Sequence, residues 1–256
     1  MFMAQSYRQI PSRLARQLKL IMADVDGTLT AGGDSISLAV SKVVRSFEEQ
    51  GVAVGLVSGR TLARLESLAQ DLGITGPIIA ENGGVAKLKV KSELVDLGYS
   101  RQPALEALEK LKALYSDAIQ EREDNKDRLV DVVMWSHGVE VEELQRHLGK
   151  TQLLDSGYIL HLLQEGVSKG RTLIRLLGKI ADGNLSLGDI MVFGDSPTDM
   201  SLFKLFPHSV LIINPMLPAE KRRVLKQAAK YVSSLPFGDG FAEVASHILS
   251  ARAGES

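Results

Sequence analysis

The sequence predicts a doubly wound parallel α/β domain interrupted by a smaller inserted α+β module. Three observations carry that expectation. Apolar runs rich in Val and Ile recur as LKLIMAD (18–24), VAVGLVS (52–58), PIIAE (77–81), IMVFGD (190–195) and SVLIIN (209–214), each ended by a polar or Gly turn. Strands buried on both faces read this way. Between the first three runs lie amphipathic helical patterns: Val40, Val43, Val44 and Phe47 share one face of 37–50, and Leu62, Leu65, Leu68 and Leu72 share one face of 61–72. The rhythm then changes: 86–98 alternates polar and apolar residues, as a hairpin opening a different sheet would.

The insertion continues as a helix at 103–115, a charged loop EREDNKD at 121–127, a strand at 128–135, a helix at 139–148 and a strand at 158–163. We therefore expect a core of 1–84 plus 165–256 and a module of 85–164. The parallel pattern resumes with a helix from Ser168 to Gly178, and helices are expected near 219–229 and 240–251. The lead-in carries Arg8, Arg13, Arg16 and Lys19 without an acid, and its expected form is a frayed basic helix rather than a transit peptide.

Composition narrows the function. The 256 residues are 45% hydrophobic and 24% charged with a net charge of -1, so a whole-protein electrostatic grip on nucleic acid is not expected. With no cysteine there is no disulfide, thiolate zinc site or cysteine nucleophile. The five histidines form no HExxH or HxH grouping and are expected as surface or satisfied core residues. LIMA (20–23), the longest apolar run among the first 30 residues, is too short for a signal peptide or membrane span. The expected setting is cytoplasmic, with no membrane or nucleic-acid partner.

Chemistry concentrates at the ends of the predicted strands. The first ends in DVDGT, placing Asp24 and Asp26 at the carboxyl edge where open α/β sheets bind ligands. The second ends in Ser58-Gly59-Arg60 before a helix, offering a hydroxyl and free N–H groups that suit phosphate. The fourth ends in GDSPTD, adding Asp195 and Asp199 at the same edge. At about 4 Å and an effective dielectric near 20, each pair of like charges costs roughly 4 kcal/mol, so the cluster calls for a cation. Oxygen ligands without His or Cys select a hard ion, and Mg²⁺ when phosphate completes its shell. Lys169, in GVSKG, starts the returning helix and is placed to oppose the acids.

DVDGT, VSGR, GVSKG and GDSPTD, in that order, resemble the haloacid dehalogenase-like phosphohydrolase superfamily across the whole core. The insertion site and the turn Glu81-Asn82-Gly83-Gly84 resemble its type IIB cap class. The resemblance implies a Rossmann-like core and roles residue by residue. Asp24 is then the nucleophile and Asp26 the general acid and base, with a pKa raised by neighbouring acids; Ser58 and Lys169 clamp the phosphoryl group. Gly59, Arg60, Asn82 and Thr28 contact substrate. Asp24, Asp26 and Asp195 hold Mg²⁺, with Asp199 behind them, holding Lys169. The chain departs from the family pattern with Thr198 where Asn is frequent and Ile213-Asn214-Pro215 where Gly-Asn is frequent.

An insertion of about 80 residues is small for this class, as in its phosphoglycolate, sucrose and mannosyl-3-phosphoglycerate phosphatases. The implied activity is hydrolysis of a small phosphorylated acid or sugar through an aspartyl-phosphate, by a monomer or homodimer. Two alternatives are a phosphosugar mutase of the phosphomannomutase type and a non-catalytic phosphate- or metal-binding regulator. Within the module, Arg122, Lys126 and Arg128 are candidates for a substrate carboxylate, and Trp135 is expected in the module's core. Hinges are expected at Gly83-Gly84 and Glu165-Gly166.

Overall fold

The computed structural model describes residues 3–31, 33, 35–157, 159–180 and 185–254. In chain order the elements are β1 (Gln5–Ser6), α1 (Ser12–Gln17), β2 (Leu20–Ala23), α2 (Leu38–Glu49), β3 (Ala53–Val57), α3 (Leu62–Leu72), β4 (Ile78–Ala80) and β5 (Val85–Lys87). There follow α4 (Gln102–Tyr115), β6 (Ile119–Glu121), β7 (Val132–Ser136), α5 (Val141–Gln145), β8 (Thr151–Asp155) and β9 (Leu160–Gln164). The chain then forms α6 (Lys169–Leu177), β10 (Ile190–Gly194), α7 (Met200–Leu205), β11 (Ser209–Ile213), α8 (Ala219–Ala228), β12 (Tyr231–Pro236) and α9 (Phe237–Ala253).

One sheet has the order β1-β12-β11-β10-β2-β3-β4-β5 and is parallel except for β5. Strand alternation divides its residues between two cores. Ile21, Ala23, Val54, Leu56, Met191 and Phe193 face the side covered by α1, α2, α3 and α9. Leu20, Met22, Val57, Ile190 and Val192 face α6, α7 and α8. Burial on both faces is why these strands read as unbroken apolar runs rather than alternating ones.

Topology positions the site. From β2 the chain winds outward through β3 and β4, and after the insertion it returns at β10 and winds the other way through β11 and β12. The switch in direction falls between β2 and β10, which pair in register from Ile190↔Leu20 to Phe193↔Ala23. A crevice opens at the carboxyl ends of two strands whose crossovers depart to opposite sides. Asp24 and Asp195 are the next residues on those two strands.

The second sheet, β6-β7-β9-β8, is antiparallel and carries α4 on one face. Leu108 and Leu111 of α4 pack on Val132, Met134, Leu160 and Leu162. This sheet does not begin at residue 86, as the alternation suggested. Val85–Lys87 turns back on β4, with Ile78 opposite Lys87, and closes the edge of the large sheet. The first strand of the small sheet is β6, at Ile119. Strand β8 was not anticipated; its mixed TQLLD pattern is half-buried. Tyr158, in the expected 158–163 strand, lies outside the described residues, and β9 starts at Leu160.

The lead-in is not frayed. β1 pairs in parallel with β12, and Tyr7, Leu14, Ala15 and Leu18 are buried in the core. Arg252, in the last turn of α9, donates to the carbonyls of Ala15 (2.6 Å) and Leu18 (3.2 Å). Its basic residues misled because their apolar partners are spaced for one short helix turn. Leu18→Ala should therefore lower unfolding free energy by about 2–5 kcal/mol in urea titrations, the range for a buried Leu. A loss under about 0.5 kcal/mol, the surface value, would mean the segment contributes no packing.

Candidate active site

Asp24 follows β2, its amide donating to the Phe193 carbonyl at 3.0 Å. The next turn requires Gly27, which sits at φ +90. A Cβ there would also stand 2.2 Å from Asp195 Oδ2, so two aspartates can approach only because residue 27 has no side chain. Gly194 repeats the device, since its Cβ would lie 2.4 Å from Asp199 Cγ. These contacts explain the glycines of DVDGT and GDSPTD.

Asp24, Asp195 and Asp199 are buried, with one oxygen of each within 4.8 Å of the others. Lys169, at the first turn of α6, donates to Asp24 Oδ1 and Asp199 Oδ1, both at 2.7 Å. Asp199 Oδ2 accepts from the amides of Asp195 and Ser196, each at 3.0 Å. Asp195 accepts from Thr28 Oγ1 (2.9 Å) and Asn214 Nδ2 (2.7 Å). Asp199 is thus spent on structure and on Lys169, whereas Asp24 keeps Oδ2 without a partner among the described residues.

Burial holds the Asp24 carboxyl well above its usual range, with Lys169 pulling it down and Asp199 and Asp195 pushing it up. Asp195 is pushed up to about 7, by burial first and Asp199 second. Burial alone would discharge Lys169, but Asp199 and Asp24 outweigh it and hold the ammonium firmly protonated. Three acids facing one lysine leave the cluster short of positive charge. A hard cation beside Asp24 and Asp195 fits that deficit and the all-oxygen donor set.

A cavity of about 320 Å³ opens on the cluster. Of the residues expected here, Asp24, Asp26, Ser58, Gly59, Arg60, Asn82 and Lys169 line it. Thr28, Asp195 and Asp199 do not; the Thr28 hydroxyl is committed to Asp195, and the two aspartates lie behind Asp24 and Lys169. Nor does the Asp26 carboxylate join the three buried acids as a fourth ligand. It is partly exposed and gripped by Arg60, with Nε to Oδ2 at 2.9 Å and Nη2 to Oδ1 at 2.7 Å. Its expected acidic neighbours are replaced by a guanidinium.

The inserted module contributes His161 from β9, Arg122, Asp124 and Arg128 from the β6–β7 connection and Ser156 and Ile159 from the β8–β9 connection. Lys126 is exposed elsewhere. Trp135 is half-buried rather than in the core, with the Arg122 guanidinium 5.0 Å from its ring centroid. Arg128 is buried and donates to Gly59 O (2.9 Å), Asp131 Oδ1 (2.7 Å) and Asp124 Oδ2 (2.9 Å). Buried Glu81 accepts from the amides of Leu129 (2.9 Å), Val130 (2.7 Å) and Asp131 (2.9 Å). Glu81 and Asn82 both take left-handed backbone angles, φ 51 and 55, and those three bonds offset a strain of about 1–2 kcal/mol per residue. The residue so presented to the cavity is Asn82.

Sequence reasoning missed Asn214 and His161. The first follows β11 by one residue, at the same carboxyl edge as Asp195. The second is the lone titratable side chain in LHLLQ, on the face away from Leu160 and Leu162, and that alternation was the available signal.

Comparison with known proteins agrees with this architecture. The profile of the haloacid dehalogenase-like hydrolases matches residues 21–131 and 136–244. A phosphoglycolate phosphatase of Methanoculleus marisnigri is 31% identical over 88% of this chain and 94% of its own. The crystal structure of protein 0175 of Thermoplasma acidophilum superposes with a TM-score of 0.77 at 25% identity, covering 90% of this chain and 98% of that one. The sucrose-phosphatase of Synechocystis, solved with sucrose and phosphate, shares the fold with a TM-score of 0.70 at 18% identity over 91% of this chain and 98% of its own. With the profile spanning most of the chain, and the switch-point acids and Lys169 assembled as its motifs imply, this protein is an enzyme of the haloacid dehalogenase-like hydrolase family.

Proposed function

We propose that this enzyme is a Mg²⁺-dependent phosphatase of a small phosphorylated hydroxy acid of the phosphoglycolate type, acting through an aspartyl-phosphate on Asp24. One observation carries the reading. Asp24 opens on a cavity whose lining includes five cationic side chains, Arg60, Arg64, Arg122, Arg128 and Lys169, against two further acids, Asp26 and Asp124, and whose volume of about 320 Å³ is at the small end for ligand sites. A small, strongly anionic ligand matches both. The relatives named phosphoglycolate phosphatase, up to about a third identical over nearly the full chain, point the same way.

Phosphate monoesters resist attack by an anion, so catalysis is positioning plus charge neutralisation. Asp24 and Asp195 would hold the cation, which when bound neutralises phosphoryl oxygens. Ser58 Oγ and Lys169 Nζ donate hydrogen bonds to the phosphoryl group. Asp24 Oδ2 attacks phosphorus in line, forming an acyl phosphate as the ester P–O bond breaks. Asp26 passes its proton to the departing alkoxide. It then takes a proton from the water that attacks phosphorus, releasing inorganic phosphate and restoring Asp24. For either transfer Asp26 must exchange an Arg60 hydrogen bond for one to the reacting oxygen.

In this reading 85–164 acts largely as a cap that supplies specificity. Its junction is tied rather than loose: Glu81 and Arg128 both bond across it, so opening about Gly83-Gly84 would have to break those bonds or carry 128–131 along with Glu81.

The direct test is a screen of phosphorylated metabolites. Turnover should be highest with 2-phosphoglycolate or a close phosphorylated hydroxy acid and should vanish on exhaustive chelation. Activity that survives chelation would contradict the cation's role, and a preference for neutral sugar phosphates would contradict the acid. Asn214→Ala, which frees Asp195 Oδ2, should weaken Mg²⁺ binding by ~10-fold to 100-fold in calorimetric titration, the usual effect of losing a partner behind a metal ligand. An unchanged affinity would remove Asp195 from the cation site.

A further inference from the structure

His161 has a place in the cavity that the chemistry above leaves unused. Its ring is 3% exposed, and Nδ1 lies 2.7 Å from Asp131 Oδ2. The other oxygen of Asp131 accepts from Arg128 Nη1 at 2.7 Å, so the carboxylate is ionic and the proton of the contact belongs to Nδ1. Strand register fixes the pair: Val133 stands opposite His161, which puts Asp131 on the same face of the sheet, away from the α4 core. Nε2 has no protein partner among the described residues, although the ring lines the cavity.

Beside it lies a second open valence. Asn82 Nδ2 is buried and has no hydrogen-bond partner among the described residues. Leaving such a donor unpaired costs about 1–3 kcal/mol, which a fold sustains where a ligand makes the bond. Gly59 brings the two groups to one point. The position its Cβ would occupy is 3.0 Å from Asn82 Nδ2, 3.2 Å from Asn82 Oδ1 and 3.1 Å from His161 Cε1, so any side chain at 59 would crowd the Asn82 amide and the His161 ring together. The loop leading from Gly59 to α3 and the β4 turn thus meet the small sheet at a bare spot flanked by two unused polar groups.

Resting on the phosphorylated-acid reading, we propose that His161 Nε2 and Asn82 Nδ2 together bind the substrate's carboxylate, with Asp131 positioning the ring. To donate to a carboxylate from Nε2 while Nδ1 donates to Asp131, the imidazole must carry a proton on both nitrogens. Arg128 is held by Asp131, Asp124 and Gly59 through its two terminal nitrogens, while its buried Nε has no partner among the described residues; its charge adds to the field on this side of the cavity. The substrate's acid end is read by His161, a residue of the small sheet, while its phosphate is held by the large one.

Two substitutions separate substrate contact from packing. His161→Asn keeps a donor toward Asp131 and has nothing at the Nε2 position; His161→Gln does the reverse. The proposal expects His161→Asn to raise KM for 2-phosphoglycolate ~10-fold to 100-fold relative to its effect on an aryl phosphate, and His161→Gln to recover much of that selectivity. If the ring only satisfies Asp131, the order is inverted, with Asn near wild type and Gln impaired; that overturns the proposal. Should the variants not fold, the wild-type protein answers. The ¹⁵N resonance of His161 Nε2 should move on adding phosphonoacetate with Mg²⁺ and not on adding methylphosphonate, and equal response to both overturns the carboxylate contact. A wild type with no preference for acids over aryl phosphate defeats the functional reading itself, whereas acid preference indifferent to both substitutions defeats only His161.

Discussion

A buried ammonium, that of Lys169, spans Asp24 and Asp199 at 2.7 Å to each, and much of the sheet edge is arranged to let it stand there. Neither partner can be alone. Without Lys169 three carboxylates within 4.8 Å would share an apolar setting, and without the acids the ammonium would lose its charge to burial. The helix that carries it is fixed at its start, where Thr172 donates to the Gly83 carbonyl at 2.7 Å and Ser201 accepts from the Gly170 amide at 2.9 Å. Gly27 and Gly194 vacate the space that Asp195 and Asp199 fill. What results is a cluster that the fold holds together while still short of positive charge, a condition that cation and phosphoryl ligands would relieve.

A second layer of polar structure joins the two sheets around that cluster. Glu81 gathers the three amides of 129–131, and Arg128 returns to the carbonyl of Gly59. The segment that ends β4 and the segment that enters β7 are therefore one unit at the cavity wall. Asn82, Gly59, Asp131 and His161 are placed by these bonds, so the parts that would read substrate are as rigidly set as the parts that would react with it.

The sequence made the large sheet legible because strands buried on both faces must be continuously apolar. The motifs were legible because Gly27, Gly194 and the acids they admit occur in fixed order at the strand ends. Other elements hid for physical reasons. β12, with Ser233 and Ser234, is covered on its outer side by only the two residues of β1 and needs no apolar run. β5 lies at the opposite edge with Val85 and Ala86 buried, and the segment it opens alternates like a hairpin whichever sheet it joins. Pairings across long separations, Arg60 with Asp26 and Asp131 with His161, leave no local pattern at all. An arginine after a strand looks the same whether it meets a phosphate or a carboxylate, and only the fold brings Arg60 onto Asp26.

The proposed mechanism gives the two aspartates of DVDGT different tasks, one at the buried cluster and one outside it. Rapid-quench labelling with an aryl phosphate that has a good leaving group tests this directly, because in that mechanism only the departing oxygen's proton and the later water would need Asp26. Asp26→Asn should accumulate labelled enzyme and Asp24→Asn should show none. Equal labelling of the two variants, or label retained in Asp24→Asn, would contradict the assignment of the nucleophile and the mechanism built upon it.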